Sequence, residues 1–185
     1  MLTFSIITAT FNNADTIGSC LESLNSQTYR HIEHIVVDGA STDGTADLIR
    51  KLRPDSKVVS ERDDGLYHAL NKGLKRASGD VIGLLHADDT FASENTLSVI
   101  ADKFSDNRIQ GTYGDLEYVL PGGRVLRRWK AGIYHKKLLR RGWMPPHPTL
   151  FLRGEIYKHF GGFDTRYSIA ADYDFMLRIL GPGNT

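Results

Sequence analysis

One cysteine, Cys20, stands alone in the 185-residue chain. An internal disulfide is excluded, and a reducing compartment is the expected setting. Cys20 falls in the helical spacing Ile17, Cys20, Leu21, Leu24, which predicts a small buried side chain and not a reactive thiol. No apolar run approaches the ~20 residues that a membrane-spanning helix needs. Residue 5 already lies in a strand-like run followed by Asn12-Asn13, so no signal peptide is expected. Net charge is scarce as well: 23 basic against 22 acidic residues leave +1, which disfavours a nucleic-acid or membrane binder at the level of the whole molecule. His68, His86, His135, His147 and His159 are scattered and lack the close spacing of zinc ligands. No glycine-rich phosphate loop, internal repeat or low-complexity tract is present. These absences predict a cytoplasmic protein, with contact at the inner face of the cell membrane left open.

A 41% hydrophobic fraction is enough for a core, and the length suits one domain. Phe4 to Thr10 reads as a buried strand and residues 14 to 26 as a helix. Ile35-Val36-Val37 reads as a second strand, residues 44 to 52 as a helix, and Val58-Val59 as a third strand. Leu66, Ala69, Leu70, Gly73, Leu74 and Ala77 repeat at helical spacing, with Lys72, Lys75 and Arg76 opposite. A fourth strand covers 81 to 85. Short strands alternating with helices predict right-handed crossovers and a parallel sheet covered on both faces. After residue 93 the pattern changes. A helix is expected over 94 to 104, then a hairpin from Tyr113–Leu120 and Arg124–Lys130 around Pro121-Gly122-Gly123. A strand near 149 to 152, helices at 154 to 160 and 171 to 180, and a helix-stop signal over 181 to 185 complete the chain.

The polar residues gather after the strands. Thr8, Thr10 and Asn12 follow the first, Asp38 the second, Glu61, Asp63 and Asp64 the third, and Asp88 and Asp89 the fourth. In parallel sheets the carboxyl ends of the strands form the ligand-binding edge. In His86-Ala87-Asp88-Asp89-Thr90-Phe91 two adjacent carboxylates repel each other at the mouth of a core strand. A bound cation offsets that cost better than a structural role does. Mg2+ or Mn2+ suits carboxylate and water ligands and bridges protein acids to phosphates, so a nucleotide diphosphate is the expected ligand.

The segments FSIITATFNNADTIGSCLESLNSQTY, HIVVDGASTDGTADLI, SERDDGLYHALNKGLKRASGDVIGLLHADDTF, PHPTLFLR, GGFD and AADYDFMLRI resemble, in order and spacing, the family-two inverting glycosyltransferases. The likeness is greatest to bacterial enzymes that build exopolysaccharide, colanic acid or lipopolysaccharide. It covers nearly the whole chain. It implies the α/β, Rossmann-like nucleotide-sugar-binding sandwich called GT-A, mostly parallel, with helices on both faces and a small antiparallel portion after residue 110. Residues 1–92 would be the nucleotide-binding half and 93–185 the acceptor-side half, the latter shorter than in many relatives, which fits a C-terminally truncated chain, a minimal enzyme or a binding-only remnant.

The resemblance also implies roles. Asp38 would hydrogen-bond the nucleotide base, although Asp38-Gly39 also suits a strand-end turn. Thr8, Thr10 and Asn12 would line the base and ribose pocket. Asp43 reads as a helix cap. Asp64 would cap the third helix or present its N-terminus to the ligand. Lys72 would approach a phosphate or lie on a solvated face. His68 stands where relatives often carry an acid, and His86 where they often carry Asn. Asp89 would hold the metal directly. Asp88 would contact ribose or sugar hydroxyls, or the metal through water. Asp172 resembles the catalytic base, and its position also suits a helix start. Asp174 would cap that helix or pair with Arg178. His147 would sit near the diphosphate or acceptor, or serve as a turn residue. Trp143 and Met144 would wall the sugar pocket or pack in the core.

The expected reaction is metal-dependent inverting transfer from a nucleotide-diphosphate sugar to a saccharide or lipid-linked saccharide. A sugar-phosphate nucleotidyltransferase is a second candidate, but Thr10–Ala14 lacks the glycine-rich, arginine-bearing loop which that chemistry uses. A non-catalytic nucleotide-sugar-binding module is a third. One stretch breaks the charge balance: between Arg124 and Arg141 cations accumulate with no acid among them. A solvated face and a contact with anionic lipid both fit; nucleic acid fits less well, because few aromatics are interleaved.

Overall fold

In the computed structural model, residues 1–181 are described; the helix-stop signal expected over 181 to 185 therefore lies mostly outside the described residues. β1 (Phe4–Thr10) is buried along its whole length. Its side chains alternate between two cores, Phe4 and Ile6 in one, Ile7 and Ala9 in the other. β2 (Ile32–Asp38) and β4 (Val81–Leu84) flank it in parallel, and β3 (Lys57–Ser60) pairs in parallel with β2. β8 (Phe151–Arg153) runs antiparallel to β4, and β5 (Gly111–Thr112) antiparallel to β8. The order is β3-β2-β1-β4-β8-β5. The sheet is mostly parallel, as the alternation predicts. The hairpin of β6 (Leu116–Val119) and β7 (Val125–Trp129) forms a separate two-stranded sheet.

One face of the sheet is covered by α1 (Ile17–Asn25), α2 (Thr45–Leu52) and α4 (Thr96–Phe104). Ile17, Cys20, Leu21 and Leu24 of α1 are buried there, with Ile49, Leu97 and Phe104 from the other two helices. The other face carries α3 (Leu66–Leu74), α6 (Gly154–Phe160) and α7 (Ala171–Leu180) through Leu70, Tyr157, Phe175, Met176 and Ile179. α5 (Lys136–Leu139) is a single turn that follows the hairpin. Each fully buried Leu, Ile or Phe contributes roughly 1.5–3 kcal/mol relative to exposure. α3 sits tightly on the sheet: a Cβ on Gly73 would lie 2.4 Å from Cγ2 of Ile7. That contact excludes any larger residue without displacing the helix.

The chain builds outward from β1 through β2 to β3. α3 then returns across the sheet to β4 on the opposite side of β1. The reversal leaves a crevice at the carboxyl ends of β1 and β4, the switch point where such sheets bind ligands. β8 adds a second effect. Because it runs antiparallel, its amino end lies beside the carboxyl end of β4, with Gly83 opposite Phe151. The segment that precedes β8 is thereby delivered to the same edge.

Candidate active site

The crevice is a cleft of about 480 Å³ whose lining includes Thr10, Asp63, Gly65, His86, Asp88 and His147. These residues come from the ends of β1 and β4, the loop into α3, and the 3₁₀ turn His147–Thr149. A second cavity of about 340 Å³ lies beside Ser78 and Gly79, at the opposite end of β4, and contains none of these groups.

Asp172 stands in the first turn of α7 and is joined to the cleft through His147. His147 Nδ1 lies 3.1 Å from Asp172 Oδ2, and the Tyr67 hydroxyl donates to Asp172 Oδ1 at 3.0 Å. The other ring nitrogen of His147 lies 2.9 Å from Nε2 of His86. Burial pushes the Asp172 pKa up, but the hydrogen bond and charge of His147, with the Tyr67 hydroxyl, outweigh it and hold the carboxyl below its usual value. Asp172 is thus ionised at neutral pH. Burial first, then His147, pulls His86 down to about 4, so His86 is neutral. Tyr67 is raised by burial and by Asp172 and keeps its proton.

α7 is fixed from outside the cleft. Asn71 of α3 donates to Phe163 O at 2.8 Å and accepts from Phe163 N at 2.9 Å. Arg178 bonds Asp174 at 2.9 Å, the i, i+4 pair anticipated for them, and donates to Gly162 O at 2.6 Å. Ala170, immediately before α7, has φ of 66°, and Ala40 and Asn12 are likewise left-handed. Such backbone in non-glycine residues is uncommon and strained, and here it flanks the strand-end loops and the start of α7.

Asp88 and Asp89 make no side-chain hydrogen bond or ion pair among the described residues. Asp88 is exposed and lines the cleft; Asp89 is half-buried beside it. Burial, then the charge of Asp88, pushes Asp89 up to about 6, with partial relief from His147. No group of three or more His, Cys, Asp or Glu among the described residues could form a closed metal cage. Two unpartnered carboxylates in an open cleft fit a hard cation that keeps water and phosphate oxygens as its remaining ligands.

Several expected contacts fall elsewhere. Thr8 does not line the pocket: strand alternation points it into the core under α1, where its hydroxyl lies 3.1 Å from Nε2 of His34. Asn12 accepts from Thr42 N at 2.9 Å, which ties two loops together. Asp38 is fully buried and accepts from Ser41 N at 3.1 Å and from the hydroxyls of Ser60, at 2.6 Å, and Ser41. It is the turn-forming residue that Asp38-Gly39 also suggested. Asp64 projects into solvent, 4.0 Å from His68, and does not cap α3. Asp63 does not cap it either: it accepts from Gly65 N at 2.9 Å in the loop before the helix, and it faces the cleft. Lys72 is held by Glu61 at 2.9 Å and Arg62 O at 3.0 Å, away from the cleft lining. Asp43 is not the cap that was expected: Gly44 holds the N-cap position of α2, and Asp43, one residue earlier, accepts from Thr45 N at 3.0 Å. Trp143 donates to Ala131 O at 3.0 Å and packs against Tyr113 and Tyr134. Thr10 and His147 both line the cleft. Asp63, Tyr67 and His86 are additions. The only sequence signal for them was their position after β3, at the start of α3 and after β4.

The sequence profile described as glycosyl transferase family 2 matches residues 5–163. An uncharacterized glycosyltransferase of Mycobacterium tuberculosis is 32% identical over 180 residues, covering 95% of this chain and 68% of the relative. A UDP-Glc:alpha-D-GlcNAc-diphosphoundecaprenol beta-1,3-glucosyltransferase, WfaP, of Escherichia coli is 43% identical over 88 residues, covering 46% of this chain and 35% of the relative. A mannosyltransferase of Pyrobaculum calidifontis, solved with GDP-Man and Mn2+, superposes with a TM-score of 0.74 at 23% identity over 96% of this chain. The chain spans about half, 52%, of that solved structure's length.

Proposed function

The chain belongs to glycosyl transferase family 2, and from that premise we propose that it moves a sugar from a nucleotide-diphosphate sugar to an acceptor hydroxyl, inverting the anomeric carbon. One arrangement carries this reading: the ionised Asp172 is coupled through His147 to the wall of a cleft that also presents Asp88. The donor lies along the ends of β1 and β4, against Thr10, Asp63 and Gly65, with its diphosphate toward Asp88. Asp38 and Asn12 shape the loops beneath it.

The acceptor oxygen attacks the anomeric carbon from the side opposite the diphosphate. The new carbon–oxygen bond forms as the bond to the phosphate oxygen breaks, and the nucleotide diphosphate departs with the electron pair. Asp172 takes the hydroxyl proton as attack proceeds. Tyr67 and His147 hold the carboxylate in one orientation while it does so. Mg2+ or Mn2+ at Asp89, with Asp88 directly or through water, would supply positive charge against the departing diphosphate.

The Escherichia coli relative is named for a diphosphoundecaprenol-linked acceptor and the Pyrobaculum structure holds GDP-Man and Mn2+. Both support a nucleotide-sugar donor, and the Escherichia coli relative alone supports a lipid-linked saccharide acceptor; the reaction would serve assembly of a bacterial surface polysaccharide on the cytoplasmic side. No described helix is long and apolar enough to cross a membrane. The test is a panel of UDP-, GDP- and dTDP-sugars with Mn2+, read by nucleotide diphosphate release and by the anomeric configuration of the product. Release with an inverted product is expected. Retained configuration would overturn the single displacement, and absence of binding to every nucleotide diphosphate would overturn the donor site.

A further inference from the structure

The β6–β7 hairpin stands apart from the main sheet, and its strands are exposed at nearly every position. An isolated hairpin is marginal in water. This one is secured at its root. Asp115 accepts from Ala131 N at 2.9 Å, and Thr149 donates to Gly114 O at 2.9 Å. Thr149 closes the 3₁₀ turn that carries His147, so the root of the hairpin is tied by hydrogen bonds to the segment that brings His147 to the cleft wall.

Two properties coincide on it. Val119, Val125 and Leu126, flanking the turn, are 55%, 37% and 66% exposed. Around and after them run Arg124, Lys130, Lys136, Lys137, Arg140 and Arg141, all exposed, with no acidic residue from 124 to 141. None of these six makes a side-chain hydrogen bond or ion pair among the described residues. Arg127 and Arg128 differ: Arg127 lies over the rings of Tyr118 and Trp129, and Arg128 pairs with Glu117 at 2.8 Å. Trp129 is half-buried with Arg127 across its face, which leaves no free stacking platform for nucleotide bases.

We propose that this basic, aliphatic-tipped hairpin and the turn of α5 after it dock on the anionic phospholipid headgroups of a membrane surface. Exposed aliphatic side chains enter the interface while neighbouring cations meet lipid phosphates. The docked hairpin is tied through Thr149 to the turn that brings His147 to the cleft, so, on the function proposed above, a lipid-linked acceptor reaches the cleft without leaving the bilayer. Lipid binding is measured without donor or acceptor and stands or falls independently of sugar transfer.

The experiment is co-flotation of the full chain with vesicles of phosphatidylcholine and phosphatidylglycerol, and with phosphatidylcholine alone, across a salt series. Binding to the anionic vesicles that weakens steeply with salt is expected. Replacing Arg124, Lys130, Lys136 and Lys137 with Gln weakens it on the order of a thousandfold, since each cation near an anionic surface contributes about 1 kcal/mol. Leu126→Ser weakens the part that persists at high salt. Both variants alter exposed side chains only and keep the parent Tm. Equal binding to neutral vesicles, undiminished binding by the four-residue variant, or preference for single-stranded RNA over the anionic vesicles would each overturn the proposal.

Discussion

His147 Nδ1 and Asp172 Oδ2 stand 3.1 Å apart, and this pair joins the wall of the cleft to the first turn of α7. It bears on the role proposed for Asp172. An ionised carboxylate held by one N–H and one phenolic O–H has a set direction and a lowered pKa, as a base that must stay unprotonated at neutral pH requires. Asp172→Asn keeps the size and much of the hydrogen bonding but accepts no proton. Transfer is expected to fall by about 10²–10⁴-fold, with nucleotide diphosphate affinity unchanged. Asp174→Asn, two positions on, loosens the Arg178 anchor and lowers Tm while sparing chemistry far more. Steady-state rates beside calorimetric affinity separate the two.

His86 supports the same pair from behind. Its Nε2 lies 2.9 Å from His147, and as a neutral ring it offers one donor and one acceptor. An asparagine amide has the same two functions, and Asn is the residue that resembling sequences often carry here. His86→Asn should therefore retain most activity. His86→Leu leaves the His147 nitrogen unpaired in a half-buried site, and kcat/KM should drop about tenfold or more. Equal activity in both variants would show that His147 needs no partner.

How much of this was legible beforehand follows from period and direction. Buried strands and amphipathic helices advertise themselves by spacing, so β1, α1, α3 and α7 were readable from apolar residues alone. β5 has two residues and α5 has four, too few to carry a period. The direction of β8 leaves no trace in composition, yet it is what sets His147 beside His86. Strand-end polarity identified the correct edge but not which side chains face it. Lys72 illustrates the difficulty: its spacing marks a polar helix face, but its partner Glu61 comes from the end of a separate strand. Asp38 was recognisable as important, whereas its enclosure by Ser41 and Ser60 depends on the packing of two loops.

Asp89 is disfavoured as an anion first by burial and then by the like charge of Asp88, with only partial relief from His147, and its raised pKa records the cost of its own charge. Removing that charge should stabilise the unliganded protein slightly, by about 1 kcal/mol or less at a partly exposed site. Asp89→Asn is therefore expected to match or exceed the parent Tm while losing the extra stabilisation that Mn2+ adds to UDP or GDP. A thermal-shift series with and without manganese reads both effects. A variant that unfolds early and still responds to manganese would assign Asp89 to structure.

His34 offers a test of the core under the site. It is 2% exposed, with Nε2 3.1 Å from the Thr8 hydroxyl and Nδ1 2.7 Å from the Ser56 hydroxyl. Burial, then the charge of Arg53, pulls it down to about 3 from an ordinary 6.5. Between those values the unfolded chain binds a proton that the native state refuses, so stability rises with pH there. It is complete above about 6.5 and falls as the solution is acidified, by up to ~1.4 kcal/mol per pH unit. At about pH 5 the loss from this residue reaches roughly 2 kcal/mol, and His86 adds a second contribution of the same sign. His34→Gln keeps an amide for the two hydroxyls and removes the titration. Urea midpoints at about pH 7 and pH 5 should therefore differ less in His34→Gln than in the parent. An identical drop in both would mean that His34 already carries its proton in the native core, and that the Thr8 and Ser56 hydroxyls both accept from it.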